Sequence, residues 1–81
     1  NSLIIFKTKN ENEFNDLRDE VAGEIGKELF TKIYEIATDE PHSFLFIDFN
    51  PKKSHPSRYR KNLDTFLIAE SDGTITQRRY D

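Results

Sequence analysis

The sequence predicts an α+β domain of order β-α-α-β-β-β, with the helices packed on one face of a mostly antiparallel four-stranded sheet. Three observations carry this expectation. Two dense apolar runs, residues 2–9 and 43–49, read as strands. Between them a helical apolar stripe extends over two glycines. Near the end, Asp72-Gly73 separates two short β-prone runs in the manner of a hairpin.

Residues 2–9 form the first expected strand. Leu3, Ile4, Ile5 and Phe6 are apolar on both faces, which suits an inner position. Asn10 is placed to cap a helix, with Glu13 three residues on in capping-box position. Phe14, Leu17, Val21, Ile25, Leu29, Ile33 and Ile36 then recur at steps of three or four. One straight helix over that span would be about 40 Å long. A domain of this size has a radius of gyration of about 12 Å. Two helices, 11–22 and 25–38, breaking at Gly23 and Gly26, are therefore expected, with a kinked single helix as the alternative. Pro41 ends the helical region by restricting the residue before it. The run 43–49 alternates Phe44 and Phe46 on one face with Leu45, Ile47 and Phe49 on the other, and is expected to be central. Residues 50–63, with two prolines and many bases, read as a loop. Strands follow at 64–70 and 74–80. With Asp72-Gly73 as a two-residue turn, Thr76 opposes Ala69, Arg78 opposes Leu67 and Tyr80 opposes Thr65. Thr65, Thr76, Arg78 and Tyr80 then share one face.

An 81-residue chain holds one core and one domain. A chain that begins at Asn1 and contains no Met is expected to be a piece of a longer polypeptide. The absence of Cys excludes disulfides, thiolate metal sites and a cysteine nucleophile. No apolar run is long enough to span a membrane as a helix. The net charge is −3, but residues 1–49 carry −6 and residues 50–81 carry +3. The acidity argues against indiscriminate nucleic-acid binding, while the local basic patch argues for one anionic contact.

That patch is the loop 51–61, with five bases, His55, Tyr59 and no acid. Lys52, Lys53, Arg58, Arg60 and Lys61 have the chemistry to neutralise phosphates, and Arg grips them bidentately. Tyr59 is a candidate for stacking on a splayed base. His55 is a candidate general acid or base. The plain alternative for such a charge run is a solvated surface loop. Arg78-Arg79-Tyr80 forms a second cluster, whose plain alternative is an edge strand guarded by charge. Glu11, Glu13, Asp16, Asp19, Glu20, Glu24, Glu28 and Glu35 form an acidic helical face, read as a solvated side or as a partner surface. Two distant His and scattered acids do not make a metal site, and no metal or other cofactor is expected. Phosphate-loop and nucleophile-elbow patterns are absent.

The order of elements, Ser57-Arg-Tyr-Arg60, the run Thr65 to Gly73 and the ending Arg78-Arg-Tyr80 resemble RelE-type toxins and, more broadly, the barnase/EndoU/colicin/RelE group of small ribonuclease domains. The likeness covers most of the chain in element order, on motifs of low specificity. It implies a C-terminal toxin-like domain that cleaves RNA, with tRNA the candidate substrate, without a metal. His55 or Tyr80 would transfer protons, and Arg58, Arg60 and Arg78 would stabilise developing charge. Thr65 and Thr76 would orient phosphate oxygens. It also implies action in a bacterial cytoplasm and a cognate immunity or antitoxin protein as partner. Toxins of this type that act on the ribosome are usually strongly basic, and this chain is acidic. The competing expectations are a non-catalytic acidic interaction protein (an immunity protein, an antitoxin-like or phage-type inhibitor) and a non-enzymatic RNA-binding accessory domain.

Overall fold

The computed structural model describes residues 1–23 and 25–79. The order is β1 (Ser2–Phe6), α1 (Glu11–Val21), α2 (Lys27–Ala37), β2 (Phe44–Asp48), β3 (Tyr59–Lys61), β4 (Thr65–Ala69) and β5 (Ile75–Arg79). All neighbouring strands are antiparallel, and their order in the sheet is β1-β2-β3-β4-β5. The α+β class and the helices against an antiparallel sheet are as the sequence predicts. Among the described residues the sheet has five strands where four were expected, because the basic segment contributes β3.

The reason lies in alternation. Tyr59 points into the core at 5% exposure, Arg60 to the opposite face, and Lys61 back toward the helix side. A strand with long cationic stems can satisfy both faces without being apolar. Just before it, Ser57 Oγ donates to the Leu67 carbonyl at 2.7 Å and accepts from Tyr59 N at 3.1 Å. The hydroxyl thereby continues the contact between β3 and β4 where the regular ladder stops.

Asn10 caps α1, accepting from Glu13 N at 3.1 Å. The reciprocal half of a capping box is replaced, since Asn10 N donates to Thr8 Oγ1. No residue of α1 is buried, and the helix packs on the core through Phe14, Leu17 and Val21, with the Phe14 ring 4.4 Å from that of Tyr34. Gly26 precedes α2 at φ 87°, a conformation that L side chains rarely adopt. This turn rotates the second helix out of phase with the first. The core face of α2 is Phe30, Ile33, Tyr34 and Ala37, while Leu29 and Ile36 are half-buried. The single stripe expected through Leu29 and Ile36 is therefore shifted. Phe30, Ile33, Leu45, Ile47 and Leu67 are the large side chains fully buried between helix and sheet.

β1 is an edge strand, not an inner one. Ile5 meets the core, but Ile4 and Phe6 are 48% and 57% exposed. Two short helices cover one face of the sheet, and the second apolar face of β1 and β2 stays open.

The last hairpin corrects the expected register. The ladder ends at Ala69 opposite Ile75. Glu70 N donates to Thr74 O at 2.8 Å and Gly73 N to Glu70 O at 3.0 Å, with Gly73 at φ 88°. This is a three-residue connection whose glycine forms a left-handed bulge, not a two-residue turn. Asp72 reinforces it by accepting from Thr74 N and Thr74 Oγ1. The register moves by one residue, and such a slip exchanges faces. Thr76 and Arg78 pair with Ile68 and Phe66, whereas Thr65 pairs with Arg79 on the other face. Thr65 therefore does not stand with Thr76 and Arg78. Tyr80, expected beside them, lies outside the described residues.

Candidate functional site

Strand pairing lines up one row across all five strands on the face without helices: Ile4, Phe46, Arg60, Phe66 and Arg78. The alternation of strand residues puts these side chains on one surface. Arg60 is the centre of the row. Its guanidinium carbon lies 5.2 Å from the Phe46 ring centroid and 4.9 Å from that of Phe66. Both distances fall within cation–π range. Nη2 of Arg60 is 3.2 Å from Nδ1 of His55, and the His55 ring lies 5.2 Å from Phe66.

His55 reaches this position because the proline-bounded loop turns back over the sheet, with His55 N donating to Lys52 O at 2.9 Å. Phe66 is left 4% exposed although it faces away from the helices. A guanidinium nitrogen only donates, so Nδ1 of His55 is the acceptor in this contact.

The structure brings His55, Arg60 and Arg78 to one surface, with Thr76 one row further along β5. Arg58 precedes β3 on the Arg60 side by alternation, and its carbonyl accepts from Asp48 N at 2.8 Å. Asp48 lies on this flank, and its Oδ1 accepts from Asn50 N. Lys52 and Lys53 are exposed in the loop above. Two expected ligand contacts are placed elsewhere. Tyr59 packs its ring against Phe30 in the core, at 6.3 Å and nearly perpendicular, where no base can stack on it. Lys61 is on the helix side, with Nζ 2.6 Å from Asp39 and 2.5 Å from Glu40. These hydrogen bonds, Asp39 first and Glu40 second, raise its pKa. They commit its charge to joining β3 to the end of α2.

Sequence reasoning missed the aromatic walls Phe46 and Phe66. The signal was present in the doubly apolar β2, whose second face exceeds what two short helices can cover. Among the described residues, no group of three His, Asp or Glu is placed to hold a metal ion, and no helix is long and apolar enough to cross a membrane.

Fold and site together define a two-helix, five-stranded α+β domain with a cation–aromatic row on its open face. No protein-family model, curated protein or solved structure matches the chain.

Proposed function

We propose that the domain acts on RNA at this open face, as a metal-independent endoribonuclease. The observation that supports the reading is Arg60, held between Phe46 and Phe66, touching His55 and standing in one row with Arg78. Guanidinium groups fixed in advance stabilise phosphoryl charge without reorganising when it develops. In the proposed step the ribose 2′-oxygen attacks the adjacent phosphorus and the bond to the 5′-oxygen breaks. A 2′,3′-cyclic phosphate and a 5′-hydroxyl result. The 2′-hydroxyl proton passes to one water and the leaving oxygen takes a proton from another, so no net proton is consumed, while His55 helps to hold the phosphate. Arg58, Arg60 and Arg78 carry most of the burden by offsetting charge.

The test is incubation with total tRNA and rRNA in EDTA, followed by analysis of the new ends. Removing one preorganised donor of this kind costs about 100- to 1000-fold in rate, which is the expectation for Arg60→Ala. His55→Ala should lose less, because its neighbours still hold the phosphate. Absence of cleavage by the wild type, with no toxicity on expression, would sink the reading.

A second reading, a non-catalytic acidic interaction protein, draws on α1. That helix buries none of its residues and exposes Glu11, Glu13, Asp16, Asp19 and Glu20. Under this reading, charge reversal at Asp16 and Glu20 suppresses the domain's effect in cells and Arg60→Ala does not. The reverse pattern counts against it.

A further inference from the structure

The row through Arg60 does not end at Phe46. Beyond it lie Ile4, in register with Phe46, and the pair Phe6 and Phe44, in register with each other. The Phe6 and Phe44 rings are 5.4 Å apart and tilted by 57°. Ile4 and Phe6 are exposed, so the open face continues from the cation as an apolar surface of Ile4, Phe6, Phe44 and Phe46, bordered at one end by Asp48.

We propose that this surface is a stacking platform for unpaired bases of single-stranded RNA, with the connecting phosphates drawn to Arg60 and its flanking arginines. The inference rests on the RNA reading above and supplies its substrate class. Its argument is chemical complementarity. A nucleotide offers a flat apolar ring joined to an anion, and here the exposed ring of Phe6 and the half-buried rings of Phe44 and Phe46 share one face with a guanidinium held against Phe46. Open antiparallel sheets bearing aromatics take two or three bases in this way. An apolar protein segment would match the rings but would leave the cationic end of the row without a counter-charge. At the far side of Phe6 a groove is lined by Lys7, Asp39, Glu40 and His42. Its two carboxylates are engaged by Lys61, which limits their repulsion of a phosphate chain. A duplex is excluded from the platform because its bases are already stacked and paired.

The test uses a fluorescent, mixed-sequence 2′-O-methyl RNA oligonucleotide, which lacks the attacking hydroxyl and so reports binding alone. The same strand as a duplex, and long-chain inorganic polyphosphate, are the comparison ligands. Stacking on one aromatic is removed at roughly 5- to 100-fold cost in affinity. Phe6→Ala should therefore bind the single strand that much more weakly, Phe6→Trp should retain binding, and the single strand should outbind the duplex. Polyphosphate binding should be indifferent to residue 6. If Arg60→Ala abolishes binding while both Phe6 variants behave as wild type, the cation site stands and the platform falls. If the wild type binds neither oligonucleotide, the RNA reading falls with it. If the wild type self-associates in sedimentation and Phe6→Ala abolishes this without altering RNA affinity, the surface belongs to a second copy and the inference is overturned. Phe6 is mostly exposed, so its variants should keep the wild-type melting transition, which guards the comparison.

Discussion

Arg60 and His55 meet at 3.2 Å, Nη2 to Nδ1, on the side of the sheet opposite the helices. In this contact the guanidinium donates and the ring nitrogen accepts. The two rings flanking Arg60 make its conformation a property of the folded sheet, so the residue contributes to stability as well as to any ligand site.

The first prediction follows from that double role. Arg60→Ala should lower unfolding stability by about 0.5–2 kcal/mol, the range for cation–π contacts from exposed to desolvated. Arg60→Lys should recover only part, because an ammonium has no plane to lie between two rings. Urea unfolding of the three proteins decides it. Equal midpoints would mean that the aromatic contacts are geometric neighbours without energetic weight.

A second prediction concerns the helix connection. Gly26 sits at φ 87° and Gly23 does not share that conformation, yet a methyl group at either would meet nothing within 4 Å. Space is therefore not the variable, and backbone strain is. Gly26→Ala should cost about 1–3 kcal/mol. Gly23→Ala should be neutral or stabilise by up to about 1 kcal/mol, through reduced freedom of the unfolded chain. Thermal melts of both variants compare the effects directly, and equal shifts would contradict the assignment.

These elements show where the sequence was legible. The Asn10 cap, the break at the glycines and the hairpin near Asp72-Gly73 are local chemistry, and local chemistry is written in order along the chain. Tyr59 was not legible in the same way. It sits in a basic run and reads as a surface aromatic, but strand pairing with Ile47 turns it inward. The fate of Lys61 likewise depends on Asp39 and Glu40, some twenty residues away. The row Ile4, Phe46, Arg60, Phe66 and Arg78 exists only once four registers are set. One of those, the last, turns on whether a glycine closes a two- or a three-residue loop.

Lys61 gives a third prediction, in alkali. Its pKa is raised above the ordinary 10.5 by hydrogen bonds to Asp39 and then Glu40. A group whose folded pKa exceeds its unfolded value stabilises the fold fully below the unfolded pKa. That contribution is lost as pH rises through the folded value. Wild-type stability should therefore fall above pH 10.5. Lys61→Met should be less stable at neutral pH and should lack this part of the alkaline decline. A variant curve parallel to wild type throughout would show that the pair does not couple to folding.

The fourth prediction tests the register itself. Thr76 and Gln77 are neighbours on β5, both exposed, and differ in the face they occupy. Thr76 shares the face of Arg60 and Arg78, whereas Gln77 pairs with Leu67 on the helix side. A glutamate at either position changes the net charge equally. At physiological salt, screening acts over about 8 Å, so the nearer charge dominates. Thr76→Glu should weaken RNA binding and Gln77→Glu should leave it nearly unchanged. A two-residue turn would reverse that order, because the one-residue slip would carry Gln77 to the site and Thr76 away from it. Affinity of the 2′-O-methyl oligonucleotide for the two variants therefore reports the hairpin register and the location of the site in one measurement.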